Sequence, residues 1–590
     1  MTNEIIATTI SVTYRLDNLD NLYISETGSI LYGASNATAL SNNTAADAHL
    51  NVVIDGSVVG MSGRAISFIS ASSADIGGDR LVIGETGLVR SINDSGIYLI
   101  RSSEVVINHG RIDAGAIAIQ VAGNTTLIHN TGTISGTQGV WLSGTGNAID
   151  NSGIILGDIG VFMSGTLSSL HNTGDIRSGG SIAVIQTFFT SANLTNDGQI
   201  LSSRAIAIVL STNGDGNHHL LNSGLIHGGS GGILLSVGSG GSLNLVNSGE
   251  ISGNEAGINA AGGTLSMINT TGGRILSAGT GSAVRFTGNL RLVNDGTIAN
   301  AAADAGDDGA IFTNDDDSSA RVINRGVISS TETVIDLRGE GDNIGALVLV
   351  NTGAIIGAVF GGKGDNRVQN WGDMQTVTLD AGDDILRNHG FIDGDVVLGD
   401  GSNLFDQRDG ANLGPVSGGT GNDTFLGGGD DEAFHGLDGN DLLRGNGGND
   451  VLFGGLGRDR LIGGDGDDRL NGDYGFDTPT GGANSADIMT GGAGADVFAF
   501  QNADFIGTSA TTRDRITDFT HSTDKIDLSA FMAGASFIGG AAFADNGQGQ
   551  VRYIAASGVL IGDVDGDGTG NWQIGLAANL TLTAGDFIFV

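Results

Sequence analysis

Acidic side chains recur at nine-residue intervals late in this 590-residue sequence, each at the same place in a glycine-rich unit. The units follow the pattern Gly-Gly-x-Gly-x-Asp-x-apolar-x, as in Gly436-Leu-Asp-Gly-Asn-Asp-Leu-Leu-Arg444. Seven units run consecutively from Gly418, and two looser units begin at Gly481 and Gly491. A carboxylate beside several glycine carbonyls forms an oxygen-only ligand set, which suits a hard cation such as Ca²⁺. The predicted carboxylate ligands are Asp423, Glu432, Asp441, Asp450, Asp459, Asp468, Asp477, Asp487 and Asp496.

The glycines of these loops are predicted to direct their carbonyl oxygens towards the cation, because glycine allows a tight loop. The unit that begins at Gly427 departs from the pattern, since Glu432 replaces Asp and Asp430 replaces Gly. A weaker site is therefore expected in that unit. The glycines predicted to line the metal sites are Gly419, Gly421, Gly439, Gly448, Gly455, Gly457, Gly464 and Gly466.

Two nine-residue units make one coil of a β-roll, so alternate units should stack on each other. One side of the roll should then carry Asp423, Asp441, Asp459 and Asp477. The other side should carry Glu432, Asp450, Asp468 and Asp487. The apolar eighth position of each unit points into the core, because successive side chains of a strand alternate between its two faces.

Looser copies of the loop precede the strict units. Gly361-Gly-Lys-Gly-Asp-Asn366 and Ala381-Gly-Asp-Asp384 are two of them, at intervals of 18 to 23 residues. They predict Asn366 and Asp384 as further metal ligands.

The elements that position these loops are predicted from a second repeat, Asn-x-Gly-x-Ile, which fills the first four hundred residues. Asn108-His-Gly-Arg-Ile112 and Asn151-Ser-Gly-Ile-Ile155 are examples, and the repeat glycines from Gly28 to Gly249 lie 21 to 31 residues apart. Short apolar strands at this period, separated by Asn and Gly and almost without proline, are typical of a parallel β-helix. One coil cannot bury its apolar face alone, so the coils must stack.

We assign the repeated Asn and Gly to turns, because both residues tolerate positive φ. Each Asn either caps its own turn, which we favour, or bonds the Asn of the next coil in a ladder. The predicted fold class is all-β, with a parallel β-helix that continues into a β-roll and a C-terminal β cap.

The nine-residue units and the sequence after them resemble the hemolysin-type (RTX) calcium-binding repeats with a serralysin-type C-terminal domain. The matching segments are GGAGADVFAF from Gly491, Asp514-Arg-Ile-Thr-Asp-Phe519, Asp524-Lys-Ile-Asp-Leu-Ser529 and Asp586-Phe-Ile-Phe-Val590. The resemblance covers about 418–590 and implies several bound Ca²⁺ ions. It also implies export by the type I secretion machinery through an uncleaved C-terminal signal. The start of the sequence, which lacks the basic and apolar regions of a secretory signal, agrees with that expectation.

Composition excludes several other classes of protein. With 26 basic and 65 acidic residues the formal net charge is −39, so a nucleic-acid partner, which requires a basic surface, is not expected. The acidity is uneven, because residues 1–300 hold 20 acidic and 11 basic residues and the other 290 hold 45 and 15. Disulfides and thiol catalysis are excluded by the absence of cysteine. No transmembrane segment is expected, since no run of 18 apolar residues occurs.

Catalytic motifs are scarce. There is no His-Glu-x-x-His, and Gly228-Gly-Ser-Gly-Gly232 matches the serine nucleophile motif only within a Gly/Ser-rich run. Asp563-Val-Asp-Gly-Asp-Gly568 resembles the start of an EF-hand loop, but the twelfth position is Ile574 instead of Glu, which favours a structural turn. Tyr474-Gly-Phe-Asp477 resembles a tetrad of mannuronan C5-epimerases, which also join a β-helix to such repeats, but lacks the Pro-His that follows it there.

The sequence thus predicts five segments and one leading function. The segments are an N-terminal cap (1–50), a β-helix (51–338), a transitional solenoid (339–417), a β-roll (418–499) and a C-terminal cap with the export signal (500–590). The predicted function is that of a secreted, calcium-binding structural or adhesive protein of a cell surface, surface layer or matrix. Self-assembly or binding to extracellular polysaccharide would provide its contacts. The alternative is a polysaccharide lyase or epimerase.

Overall fold

The chain divides into two units, Met1–Val334 and Ile335–Val590, in a computed structural model. The structure describes residues 3–11, 13–16, 21–32, 38–42, 50–69, 78–187, 191–212, 214–301, 309–313, 315, 317–338, 345–472, 486–502 and 506–590.

Unit 1 is a parallel coil in which each turn contributes one strand to each of three faces. The alternation of apolar and polar residues in each strand buries one side and exposes the other. The first face contains Asn3–Ile6, Asn21–Ile24, Asn51–Ile54, Arg80–Ile83, Val105–Asn108, Leu127–Asn130, Ala148–Asn151, Ser169–Asn172, Asn193–Asn196, Asn217–Asn222, Ser242–Asn247, Thr264–Asn269, Asn289–Asn294 and Ser319–Asn324. The second face contains Thr9–Ile10, Ser29–Tyr32, Ser57–Gly60, Leu88–Ser91, Arg111–Ala114, Thr133–Ser135, Ile154–Gly157, Asp175–Ser178, Gln199–Ser202, Leu225–Gly228, Glu250–Gly253, Arg274–Ser277, Thr297–Asn300 and Val327–Asp336, whose last two residues belong to unit 2. The third face contains Tyr14–Arg15, Leu40–Asn42, Ile66–Phe68, Ile97–Leu99, Ile117–Val121, Gln138–Leu142, Ile159–Met163, Val184–Thr187, Ile208–Ser211, Gly231–Ser236, Ala256–Ala261, Val284–Phe286 and Ile311–Phe312.

The isoleucine of the Asn-x-Gly-x-Ile repeat builds the core of unit 1. Parallel register pairs Ile155 with Ile176, and Ile176 with Ile200, so that the same side chain stacks from coil to coil. Each of these side chains is buried. The inward position predicted from the repeat therefore corresponds to an apolar column.

The repeated asparagines do both of the things that the sequence left open. Asn151 Nδ2 donates to Asn172 Oδ1 at 2.7 Å, and Asn172 Nδ2 donates to Asn196 Oδ1 at 2.8 Å. The same Asn172 nitrogen also donates to the Gly174 carbonyl of its own turn at 3.0 Å. Both roles are present because an amide has two N–H donors. Such bonds join Asn108, Asn130, Asn151, Asn172, Asn196, Asn222, Asn247, Asn269, Asn294 and Asn324 into an Asn ladder.

The repeat glycines are needed for space, and the interpretation that they supply a positive φ is wrong. Neither Gly153 nor Asn151 is among the residues with positive φ. A Cβ atom added to Gly153 would instead overlap the carbonyl oxygen of Gly132, one coil earlier. The close approach of successive turns therefore excludes any side chain at this position.

Breaking the Asn ladder should cost stability. Asn172→Leu removes an acceptor from Asn151 and a donor from Asn196, all of them buried side chains. Unpartnered buried amide groups cost about 1–3 kcal/mol each, so urea denaturation should show a loss of about 3 kcal/mol. Thr173→Ala changes the exposed neighbouring residue and should lose less than about 0.5 kcal/mol. Equal losses of unfolding free energy in the two variants would show that the Asn ladder does not stabilise the fold.

Unit 2 begins with coils of three strands and changes to coils of two. Its first face contains Leu347–Asn351, Arg367–Asn370, Ile385–Asn388, Leu404–Asp406, Thr424–Leu426, Leu442–Gly447, Arg460–Asp465, Ile488–Ala493 and Asp514–Ile516. Its second face contains Ala354–Phe360, Asp373–Met374, Phe391–Ile392 and Ala411–Asn412. The last two residues of Ala354–Phe360 pair with Val377–Thr378 of the third face. Its third face contains Val377–Thr378, Val396–Val397, Val416–Thr420, Ala433–Asp438, Val451–Leu456, Arg469–Asn471, Val497–Ala499, Lys525–Asp527 and Phe587–Ile588. After Asn412 the second face has no further strand among the described residues, and the coil shortens to the two nine-residue units of a β-roll.

The end of unit 2 differs from its parallel coils. Gln550–Ile554, Val559–Asp563 and Trp572–Gly575 form an antiparallel meander, and Ser536–Phe537 pairs beside it. The only helical element among the described residues is the 3-10 turn Ala584–Asp586. The all-β prediction, with a parallel β-helix, a β-roll and a C-terminal β cap, is confirmed. Within the described part of the chain, no helix has the length and apolarity needed to cross a membrane.

Candidate metal centre

The sixth-position side chains of unit 2 form two ladders, because each one bonds the backbone of the equivalent residue one coil earlier. In ladder one the N–H of Asp423 donates to Asp441 Oδ1 at 2.8 Å, and that of Asp441 donates to Asp459 Oδ1 at 2.9 Å. The same bond recurs at every step of this ladder. Ladder one consists of Asn366, Asp384, Asn403, Asp423, Asp441, Asp459, Asp487 and Asp514.

Ladder two follows the alternate units. The N–H of Asp450 donates to Asp468 Oδ1 at 2.8 Å, and that of Asp468 donates to Asp496 Oδ1 at 3.0 Å. The ladder begins at Glu432, whose N–H donates to Asp450, and ends at Asp524, which accepts from Asp496.

The placement of Asp487 beside Asp468 is wrong, because Asp487 follows Asp459 in ladder one. The step from Asp459 to Asp487 is 28 residues where the regular step is 18, so ten additional residues interrupt the nine-residue count. Asp477, predicted for the same ladder, lies in 473–485, outside the described residues.

The second oxygen of each ladder carboxylate is the atom available to bind a cation. Among the described residues, Oδ2 of Asp423, Asp441 and Asp459 is buried and has no hydrogen-bond partner. A buried oxygen without a partner costs free energy unless a proton or a cation satisfies it. The same holds for the second oxygen of Asp384, Glu432, Asp450, Asp468, Asp496 and Asp514.

Glycines shape the space around these oxygens. A Cβ added at Gly436, the first position of its unit, would overlap Asp441 Oδ2, so this carboxylate lies directly over its own loop. Gly439 in the same loop has a φ of 147°, which disfavours any other residue. Predicted metal-site glycines with positive φ are Gly421, Gly439, Gly448, Gly455, Gly457, Gly464 and Gly466. Gly419 is not among them, and the atom it avoids is the Gly399 carbonyl oxygen one coil earlier.

Burial makes these carboxylates weak acids. It raises the pKa of Asp441, Asp459 and Asp468 from 3.8 to about 7. It also raises the pKa of Asp423 and Asp496 to about 6 and that of Asp384 to about 8. In each case desolvation opposes the charged form and outweighs the N–H donors.

The raised pKa values of these carboxyl groups predict how the calcium-free chain responds to pH. A carboxyl group whose pKa is higher in the folded than in the unfolded state stabilises the fold where it is protonated. That stability is fully present below about pH 4 and is lost as the pH rises through 6 and 7. Protein depleted of calcium with a chelating resin should therefore show more β-structure by circular dichroism at pH 5 than at pH 8. More β-structure at pH 8 than at pH 5 would contradict the raised pKa values of the ladder carboxyl groups.

The donor set fits calcium. Each ladder contains carboxylate oxygens that have no hydrogen-bond partner among the described residues. The glycine loops beside them contribute backbone carbonyl oxygens and contain no sulfur. Calcium accepts six to eight oxygen ligands from such groups. The residues present can therefore hold calcium in both ladders.

The unit that starts at Gly427 differs in its bonding. Glu432 Oε1 accepts Gln407 Nε2 at 2.9 Å and the Gly428 N–H at 3.2 Å, so protein donors already satisfy one of its oxygens. The pKa of Glu432 is raised by burial and by the neighbouring Asp450.

The effect of removing a ligand on calcium binding should therefore differ between positions of the ladders. Asp459→Ala and Asp468→Ala each remove a buried carboxylate with stacked neighbours, and each should reduce the number of bound calcium ions and the cooperativity of binding. Glu432→Ala should have the smaller effect. Asp465→Ala removes an exposed carboxylate from the same unit as Asp468 and is the matched control. Isothermal titration calorimetry of the four proteins distinguishes them, and equal calcium binding in all would show the sixth-position assignment to be wrong.

Two ladder residues were missed as ligands from the sequence. Asp514 and Asp524 occupy the last steps, and both are buried. They follow the preceding ladder residue by 27 and 28 residues where the regular step of a ladder is 18, so they break the period of the coil. The only signal for them was their place in the serralysin-like segments.

The EF-hand-like segment forms a hairpin turn. Asp563, Asp565 and Asp567 approach within 4.8 Å of one another. Asp563 accepts the N–H groups of Gly566 and Gly568, while Ile574 is buried in the following strand. The turn joins two strands rather than two helices, which supports the structural interpretation.

Two histidine–aspartate pairs lie on the surface of unit 1. His129 Nδ1 is 2.9 Å from Asp150 Oδ2, and His171 Nε2 is 3.2 Å from Asp197 Oδ2, all with exposed side chains. The Gly228–Gly232 segment joins strand Leu225–Gly228 to strand Gly231–Ser236, so the strand-to-helix turn of a serine nucleophile does not occur there.

Comparison with known proteins gives a family and a structural likeness. The family model described as Peptidase M10 serralysin C terminal matches residues 275–589. The solution structure of a subunit of the mannuronan C5-epimerase from Azotobacter vinelandii is 23% identical, with a TM-score of 0.17. The match covers 29% of this chain and 80% of that one. No curated protein matches the chain.

Proposed function

This chain belongs to the peptidase M10 serralysin C-terminal family, and from that premise we propose that it is a secreted calcium-binding solenoid that acts as an adhesive or structural surface. The observation that carries the proposal is the pair of carboxylate ladders, in which the second oxygens of Asp441, Asp459 and Asp468 are buried with no hydrogen-bond partner among the described residues. The motif of the peptidase active site, His-Glu-x-x-His, does not occur in the sequence.

Calcium binding is the first part of the proposal. The ligands would be the carboxylates of the two ladders and the carbonyls of their glycine loops. A bound calcium ion supplies positive charge to carboxylates that otherwise repel one another one coil apart. The carboxylate of Asp441 is fixed in orientation, because its Oδ1 accepts the Asp423 N–H of the preceding coil and its Oδ2 faces the loop. Equilibrium dialysis of the full chain against calcium tests this part, and an absence of binding at millimolar calcium would refute it.

Export by a type I system is the second part. The C-terminal segment is built into the fold: Phe587 pairs with Ile526 and its ring stacks on Phe537 at 4.7 Å. The Asp586 carboxylate accepts the Ser522 N–H at 2.9 Å, so it is engaged once the cap has formed. A signal in this segment would therefore be read in the unfolded chain.

The export test separates the signal from the fold. Deletion of residues 587–590 should retain the protein in the producing cell. Phe537→Ser disturbs the same packed cap but leaves the terminal residues intact, and it should still be exported. Secretion of the deleted chain would refute the type I route, and retention of both variants would assign the defect to folding.

Adhesion or assembly is the third part, and a polysaccharide enzyme is the alternative. The outward row of His129, Asp150 and His171 is where we would look for turnover. Calcium-loaded protein is mixed with acidic polysaccharides, and both retention and product release are measured. A surface-acting protein should bind without release and lose little binding in any single variant. Turnover that is abolished by Ala at His109, His129, His171 or Asp175 would establish the enzyme instead.

A further inference from the structure

Asn403 occupies a step of ladder one between two carboxylates. Its Oδ1 accepts the Asp384 N–H at 2.9 Å, which is the bond that every Oδ1 makes along this ladder. Its backbone N–H donates in turn to Asp423 Oδ1 at 2.8 Å. The Asn403 side chain is buried to the same degree as its acidic neighbours. Asn403 is therefore a regular member of ladder one by position and by backbone bonding.

The Asn403 amide nitrogen donates hydrogen bonds, which an ionised carboxylate cannot do. Its Nδ2 donates to the carbonyl oxygen of Gly399 at 2.9 Å and contacts that of Gly401 at 3.4 Å. These are the second and fourth residues of its loop, equivalent to Gly419 and Gly421 in the unit of Asp423. At Asp423 the atom in the corresponding place is Oδ2, which has no hydrogen-bond partner among the described residues.

Asn366 repeats this arrangement. Its Oδ1 accepts the Leu347 N–H at 2.8 Å, and its Nδ2 donates to the carbonyls of Gly362 at 2.7 Å and Leu379 at 2.8 Å. The amide orientation is determined by these partners, because a rotated amide would direct oxygen against carbonyl oxygen and N–H against N–H. Two independent steps of ladder one thus place N–H donors towards loop carbonyls.

We propose that Asn366 and Asn403 are cation-free steps, in which an amide N–H group takes the place that calcium takes at the carboxylate steps. A carboxylate oxygen and a carbonyl oxygen are both acceptors, so they share a site only through a cation or a proton. An amide of the same shape carries its own hydrogens and needs neither. The inference rests on the proposed calcium function and changes one detail of it: Asn366, predicted as a ligand, is removed from the ligand set.

The decisive variant is Asn403→Asp, which restores a carboxylate with the shape of the side chain unchanged. The full chain should then bind one more calcium ion per molecule at pH 7.5, measured by equilibrium dialysis with metal analysis. Ser402→Asp adds the same charge at the adjacent exposed position and should leave the number unchanged. Asn403→Ala should also leave it unchanged, because the native amide is proposed to hold no ion. Circular dichroism at saturating calcium verifies that each variant is folded.

The outcomes separate this inference from the proposed function. Unchanged binding in a folded Asn403→Asp protein, or one ion fewer in Asn403→Ala, overturns the inference alone. A wild-type chain that binds no calcium overturns the proposed function as well. If Asn403→Asp does not fold, the reverse change Asp441→Asn decides. Asp441→Asn should bind one calcium ion fewer yet keep its β-structure. An unchanged number of bound ions would contradict the proposal that an amide takes the place of calcium.

Discussion

In EGTA at neutral pH, the β-roll of unit 2 is expected to unfold while unit 1 keeps its strands. At this pH the ladder carboxylates with a pKa near 7 would be about half charged while buried and stacked. The second oxygens of Asp441, Asp459 and Asp468 have no hydrogen-bond partner among the described residues. Unit 1 depends instead on isoleucine stacks and the Asn ladder, which involve no charge. A ligand at 100 times its dissociation constant adds about 2.7 kcal/mol per site to the folded state. Several such sites together exceed the roughly 5–15 kcal/mol that separates a folded domain from its unfolded chain.

Hydrogen exchange of the full-length chain measures this prediction locally. Amides of Leu442–Gly447 and Arg460–Asp465 should exchange rapidly in EGTA and become protected in millimolar calcium. Amides of Ser169–Asn172 and Asp175–Ser178 in unit 1 should stay protected in both conditions. Magnesium at the same concentration is the control, since it prefers a smaller octahedral site with retained water. Full protection of the roll in EGTA would contradict calcium-coupled folding.

Ile176→Asp is expected to have the largest effect of any single substitution in unit 1. Ile176 is buried between Ile155 and Ile200, so the new carboxylate would have no polar partner among the described residues. Burying an unpaired charge in an apolar core should cost about 5 kcal/mol or more. Because each coil of a solenoid contacts its neighbours, the loss should extend to the adjacent coils.

The control for Ile176→Asp is the residue beside it. Asp175→Asn removes a half-buried carboxylate, at 25% exposure, that pairs with Arg177 at 2.6 Å on the outer side of the same strand. Such a surface pair contributes about 1 kcal/mol at most. Urea denaturation and proteolysis of both variants should therefore differ widely. Comparable stability of the two would show that residue 176 is not a core position.

Local pattern determined a large part of this protein. Side chains of a strand alternate between two faces, so the repeat alone places Ile176 inside and Asp175 outside. The nine-residue period likewise identifies Asp441 and Asp459 as equivalent, because two units make one coil. The ligand chemistry follows from the residue types, since carboxylates in glycine loops present oxygen to a hard cation. Fold class and family resemblance were therefore accessible from the sequence.

Only the tertiary structure decided which residues meet where the period fails. Ten extra residues place Asp487 on Asp459, and a longer step brings in Asp514, because each carboxylate accepts a hydrogen bond from the backbone N–H of the preceding coil. A sequence interval cannot report that register once an insertion interrupts it. The role of Gly153 and the amide contacts of Asn403 have the same origin. Both depend on the distance to a carbonyl group in three dimensions, and residue type alone does not specify that distance.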